Sequence, residues 1–178
     1  MDETLRSRLV AFLKPLYQDL DGASRFDDIE RIATIARSIH PSTDQDFELL
    51  LLFHGLGKWL DKVGNLSRAV LVVGLDESEL RRTAASIRRL ANPETDAERA
   101  VAAATLIDQS GVAGLARRFA VARREGHSVL DVVREALADS WVPEWVPEGG
   151  RKLLQRRLEQ RREFCAVVLE ETGITDEG

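Results

Sequence analysis

The stretch that most constrains this chain is Leu49-Leu50-Leu51-Leu52-Phe53, five large apolar residues in a row, followed at once by His54-Gly55-Leu56-Gly57-Lys58-Trp59. A helix that is apolar all the way round has no face to offer water and must be enclosed by other elements. The run therefore reads as the central helix of the fold, over about residues 44–57, with Gly55 and Gly57 as its stop signals. A buried helix that delivers a His at its end and then loosens into Gly-x-Gly-Lys is also where a site forms in an all-helical protein.

The patterning on either side predicts more helices. Leu5, Leu9, Phe12, Leu13, Leu16, Tyr17 and Leu20 make one apolar stripe, with Pro15 as a point of kinking. Asp21-Gly22-Ala23-Ser24 reads as a turn with a capping Ser. Ile29, Ile32, Ala33, Ile35, Ala36 and Ile39 then form a second stripe, ended by Pro41-Ser42-Thr43-Asp44. Ala69-Val70-Leu71-Val72-Val73 is the one β-branched run. It fits helical spacing and is expected to be a short helix, with a strand as the competing reading. Asp76 with Glu79 spells a capping box, and Pro93, Thr95 and Glu98 open the next helix. Gly111 breaks that helix, Gly126 closes the following one, and Ser128 opens another. The tandem Trp141-Val142-Pro143-Glu144 and Trp145-Val146-Pro147-Glu148 cannot lie mid-helix, because each proline lacks a donor and clashes with the preceding turn. It reads as an extended loop before a last helix from about Gly150 to Glu171. The expectation is an all-α bundle forming a single domain over 1–173, with 174–178 as a flexible tail.

Composition narrows the function classes. A chain of 178 residues that is 44% hydrophobic and 31% charged is long enough to bury a substantial core. The formal net charge of −5 disfavours a general grip on nucleic acid phosphates or acidic lipid. Cys165 is the single cysteine, which excludes an intramolecular disulfide and fits a reducing, cytoplasmic setting. No apolar run approaches the roughly 20 residues of a membrane span, and Met1 to Arg6 is too charged for an export signal.

Three stretches in order resemble the HD superfamily of metal-dependent phosphohydrolases, an all-helical family. Leu52-Phe53-His54-Gly55-Leu56-Gly57-Lys58 is similar to its Leu-Leu-His-Asp-Ile-Gly-Lys. Phe26-Asp27-Asp28-Ile29-Glu30-Arg31-Ile32 is similar to its Asp-x-x-His-Val-x-Arg-Val opening. Ala104-Thr105-Leu106-Ile107-Asp108 through Gly111, Gly114, Arg117 and Phe119 resembles its Ala-Asp-x-Leu-Asp-x-Leu-Gly-Ala-x-Gly-Ile-Ala-Arg-x-Phe. The closing helix, around Gly149-Gly150-Arg151 and Arg161-Arg162-Glu163-Phe164, resembles the small bacterial members. The resemblance implies an HD-type bundle whose first metal-binding His falls on Asp28, whose His-Asp pair falls on His54 and Gly55, and whose late Asp falls on Thr105. One ligand of four is kept. Gly has no donor atom, and Thr cannot balance a divalent charge.

Asp28, His54 and Asp108, the last one helical turn beyond Thr105, remain as a candidate site for Mn, Fe, Ni, Co or Zn. The alternative is that His54 is a packed, hydrogen-bonded residue and Asp108 pairs locally. Lys58 and Arg117 fall where the family keeps basic residues, so they are candidates to hold a phosphate or carboxylate, against the plainer reading of solvated helix ends. The remaining arginine pairs are interleaved with Glu and Asp and read as salt-bridged faces. His40 and His127 stand beside loop signals, as helix-end residues. Trp141 and Trp145 are candidates for a lid or a partner anchor, or for packing back onto the last helix. The expected function is a degenerate, non-catalytic HD-type module that binds a phosphorylated small molecule or a protein. The rivals are a phosphohydrolase acting on nucleotides or other phosphate esters, and a homodimeric scaffold.

Overall fold

In the computed structural model the described residues are 1–18, 26–42, 44–139 and 141–172, and every regular element among them is helical. The predicted turn at Asp21–Ser24, the stripe residue Leu20 and the tail 174–178 lie outside them. The chain comprises two compact units, Met1–Ala104 and Thr105–Gly178.

The first unit holds α1 (Glu3–Gln18), α2 (Phe26–Ile39), α3 (Gln45–Phe53), a 3-10 turn at His54–Leu56, α4 (Gly57–Leu60), α5 (Asn65–Val73), α6 (Glu77–Arg89) and the start of α7 (Asp96–Ser110). It is built around α3, as the apolar run demands. Phe47 and Leu49 through Phe53 are each at most 3% exposed, and α1, α2 and α6 all pack against this helix. Burying a Leu or Phe contributes about 1.5–3 kcal/mol apiece, so α3 anchors the unit. The one charge in that run, Glu48, is buried too, and Arg37 of α2 answers it with two parallel hydrogen bonds of 2.8 and 2.7 Å. A buried carboxylate held by a planar guanidinium fork also fixes the rotation of α3 against α2.

The β-branched run at 69–73 is helical, as α5, with Ala69 and Val73 inward. The predicted capping box is present, with Asp76 accepting from Ser78 and Glu79 N–H groups, and the next helix opens on a second box, in which Thr95 Oγ1 accepts from Glu98 N–H while Glu98 accepts from Thr95 N–H. The central helix is shorter than expected. The α-helix stops at Phe53, and neither Gly55 nor Gly57 stops it through a left-handed cap; the chain tightens into the 3-10 turn and resumes as α4.

The second unit contains the rest of α7, α8 (Val112–Glu125), α9 (Val129–Ala138) and α10 (Glu148–Thr172). α10 packs on α8 and α9 over Leu115, Ala122, Val132, Val133, Ala136 and Cys165. Phe164 is 39% exposed, because Cys165 rather than its neighbour points to the core. Gly114 is required by the tight α7–α8 corner: a Cβ there would fall 2.0 Å from the Gln109 carbonyl oxygen. The Trp-Val-Pro-Glu repeat is a loop with a turn at Pro143 to Val146, where Val146 N–H reaches the Pro143 carbonyl.

Candidate functional site

His54 stands at the point where α3 gives way to the 3-10 turn, partly buried, with its Nδ1 2.7 Å from the Leu51 carbonyl oxygen. A carbonyl can only accept, so Nδ1 carries a proton and donates it, an anchoring that ligating imidazoles also use. Gly55 comes next, where the resemblance expects a carboxylate. The sole tyrosine of the chain, Tyr17 of α1, fills that position's surroundings. Its hydroxyl donates to the Leu52 carbonyl at 2.8 Å and accepts from the Gly55 N–H at 3.3 Å. A Cβ on residue 55 would lie 2.9 Å from Tyr17 Cε1, closer than carbon atoms tolerate. Burial pushes the Tyr17 phenol well above its ordinary value, with the Gly55 hydrogen bond opposing. The hydroxyl is thus a neutral staple for the two backbone groups that the end of the α-helix leaves open.

Asp28, in the first turn of α2, makes a 2.6 Å salt bridge to Arg31 one turn on. Lys58 is exposed on the four-residue α4. In the second unit Asp108, near the end of α7, is buried and its carboxylate is 2.5 Å from Arg117 of α8. Two residues nominated for different roles, metal ligand and anion holder, are therefore partners of one another. Trp141 is 70% exposed, while Trp145 is half-buried. Of the other histidines, His127 is exposed, and His40 sits edge-on to Phe47 at 5.1 Å.

Gly55 offers no atom and Tyr17 occupies the room a side chain would take, while the Asp28 and Asp108 carboxylates each face a guanidinium whose charge a cation would have to displace. Among the described residues no group of three or more His, Cys, Asp and Glu is placed to hold a metal ion. Sequence reading placed Tyr17 in a core stripe and missed its part here. A hydroxyl in an otherwise apolar stripe was the available signal, since a buried phenol needs a partner.

The chain is similar in fold to Bacillus subtilis YpgQ. The match to the YpgQ crystal structure covers 97% of this chain and 100% of that one, with a TM-score of 0.67 and 17% identity. At that identity YpgQ shares the all-α fold, and nothing about ligands passes from one chain to the other. No protein-family model matches the sequence, and no curated protein matches it.

Proposed function

We propose that this protein is an HD-type helical fold whose metal centre has been dismantled, and that it acts as a binding or regulatory module for a phosphorylated small molecule or a protein. The observation that carries this reading is the Tyr17–Gly55 pair. Losing a ligand leaves a hole; here the position is closed by an aromatic ring whose hydroxyl satisfies the backbone. That is the architecture of a site maintained for structure, since a buried polar group is kept only where its bonds are made. The Arg31 and Arg117 bridges support the same reading, because each gives a remaining candidate carboxylate a cationic partner within the chain. Lys58, exposed one turn beyond His54, is a cation that a phosphate or carboxylate can meet on the first unit.

The rival reading, a metal-dependent phosphohydrolase, is favoured by one feature, the Nδ1 anchoring of His54. Elemental analysis of protein purified without chelator separates the two, with His54→Ala as control. The expected result is no stoichiometric Mn, Fe, Ni, Co or Zn in either protein, and no turnover of nucleotide or phosphate-ester substrates with any of those ions added. About one equivalent of metal that vanishes in the variant, together with turnover, would overturn the proposal.

A further inference from the structure

The second unit carries a knob and a socket that suit one another. The knob is Trp141, presented on a strap that the last helix holds by its carbonyl oxygens. Arg151 donates from Nε to the Val146 carbonyl at 3.0 Å and from Nη2 to the Glu144 carbonyl. Arg161, itself only 2% exposed, donates to the Asp139 carbonyl. Val146 and Pro143 are tucked in, yet Trp141 stands 70% exposed. A large indole held out on a pre-fastened strap costs little ordering entropy when it docks. The socket is a concavity of about 680 Å³ where α8 ends and α9 begins, walled by Phe119, Ala120, Ala122 and Val129 and edged by Arg123 and His127. Val129 there is 53% exposed.

Charge matches as well as shape. From Trp141 to Glu148 the strap's charged residues are Glu144 and Glu148, both exposed and both acidic. The socket side presents Arg123 and Arg124, with Glu125 facing His127 at 3.9 Å. Knob and socket lie at opposite ends of α9, a helix about 15 Å long. Two copies meeting with their α9 helices antiparallel therefore offer each knob the other's socket, the self-complementary arrangement of a two-fold dimer.

We propose that the occupant of this socket is Trp141 of a second copy of the chain, with Arg123 and His127 beside the indole and Arg124 toward the acidic strap. The inference is independent of the metal question, since none of these residues belongs to the His54 region. Two tryptophans, each burying roughly 150–250 Å², and their surrounds give a contact at the small end of specific interfaces, so dissociation on the order of micromolar is expected.

Sedimentation of the full chain tests this. Wild type should pass from monomer to dimer across micromolar concentrations. Trp141→Ala, which removes the knob, and Ala120→Trp, which fills the socket from an exposed position, should each weaken the dimer at least ~30-fold, as loss of a central anchor does. Far-UV circular dichroism of both should match wild type. An equimolar mixture of the two variants retains one intact knob and socket, and should pair more tightly than either variant alone. A wild type that stays monomeric at hundreds of micromolar would overturn the proposal, as would a dimer indifferent to both substitutions or a mixture that gains nothing. The second of those outcomes would move the interface elsewhere.

Discussion

Tyr17 carries the most specific consequences at the scale of single residues. Tyr17→Phe keeps the ring and removes the hydroxyl, leaving the Leu52 carbonyl and the Gly55 N–H without that partner. The expected loss is about 1–3 kcal/mol by urea unfolding, the usual cost of an unsatisfied buried polar group. Restoring the carboxylate with Gly55→Asp should also destabilise, by about 1–3 kcal/mol, because the ring must move. It should not confer metal binding. A variant that gained a bound metal at no cost in stability would show that the position had stayed open. The phenol gives a pH signature too. Its native value lies above the unfolded one, so stability is intact below about pH 10 and declines as pH rises past it, when only the unfolded chain ionises. With one tyrosine in the chain, phenolate absorbance should appear together with unfolding and not before it.

Helix termini set the next scale. Glu98 is fully buried at the head of α7, where it accepts from the N–H groups of Glu94 and Thr95 and from Arg89. Burial alone would raise its carboxyl, but Arg89, those two N–H groups and the Ser86 hydroxyl outweigh burial and bring it down to about 2. A carboxylate depressed in the folded state stabilises fully above its unfolded value. The contribution is lost as pH falls from about 4.5 toward 2. Glu98→Gln should therefore flatten acid unfolding over that interval and lower stability at pH 7, read by thermal melts at both ends. Helix starts were legible because their signals are local: the Asp76–Glu79 box was read as such, and Thr95 and Ser128 were read as openers whose boxes with Glu98 and Asp131 close within four residues. The Tyr17 staple spans 38 residues and the Arg37–Glu48 fork 11, so no short pattern announces either. His54 could be placed at the end of the central helix from its neighbours, but which atoms answer it could not. The α7–α8 corner was legible only as a break at Gly111, while Gly114, which the close approach of Gln109 requires, entered only through the resemblance. Gly114→Ala should cost several kcal/mol, since the methyl group falls on the Gln109 carbonyl, whereas Ala at the exposed Gly64 meets no neighbour and suffers only from its positive φ.

For the molecule as a whole, the all-helical class and the order of most elements followed from hydrophobic period, which is a property of each segment and needs no partner to read. The division into two units did not follow, because the second half carries the same helical patterning as the first and its separate cluster becomes visible only when α8, α9 and α10 are seen folded on Cys165. That cysteine is the sole thiol, is 0% exposed, and has its ionisation pushed up by burial, with Arg161 and Arg118 opposing. A thiol reagent reaches it only when the α8–α10 core opens. Its labelling rate under native conditions is thus a built-in clock for that opening, and should accelerate with denaturant in step with the breathing of the second unit alone.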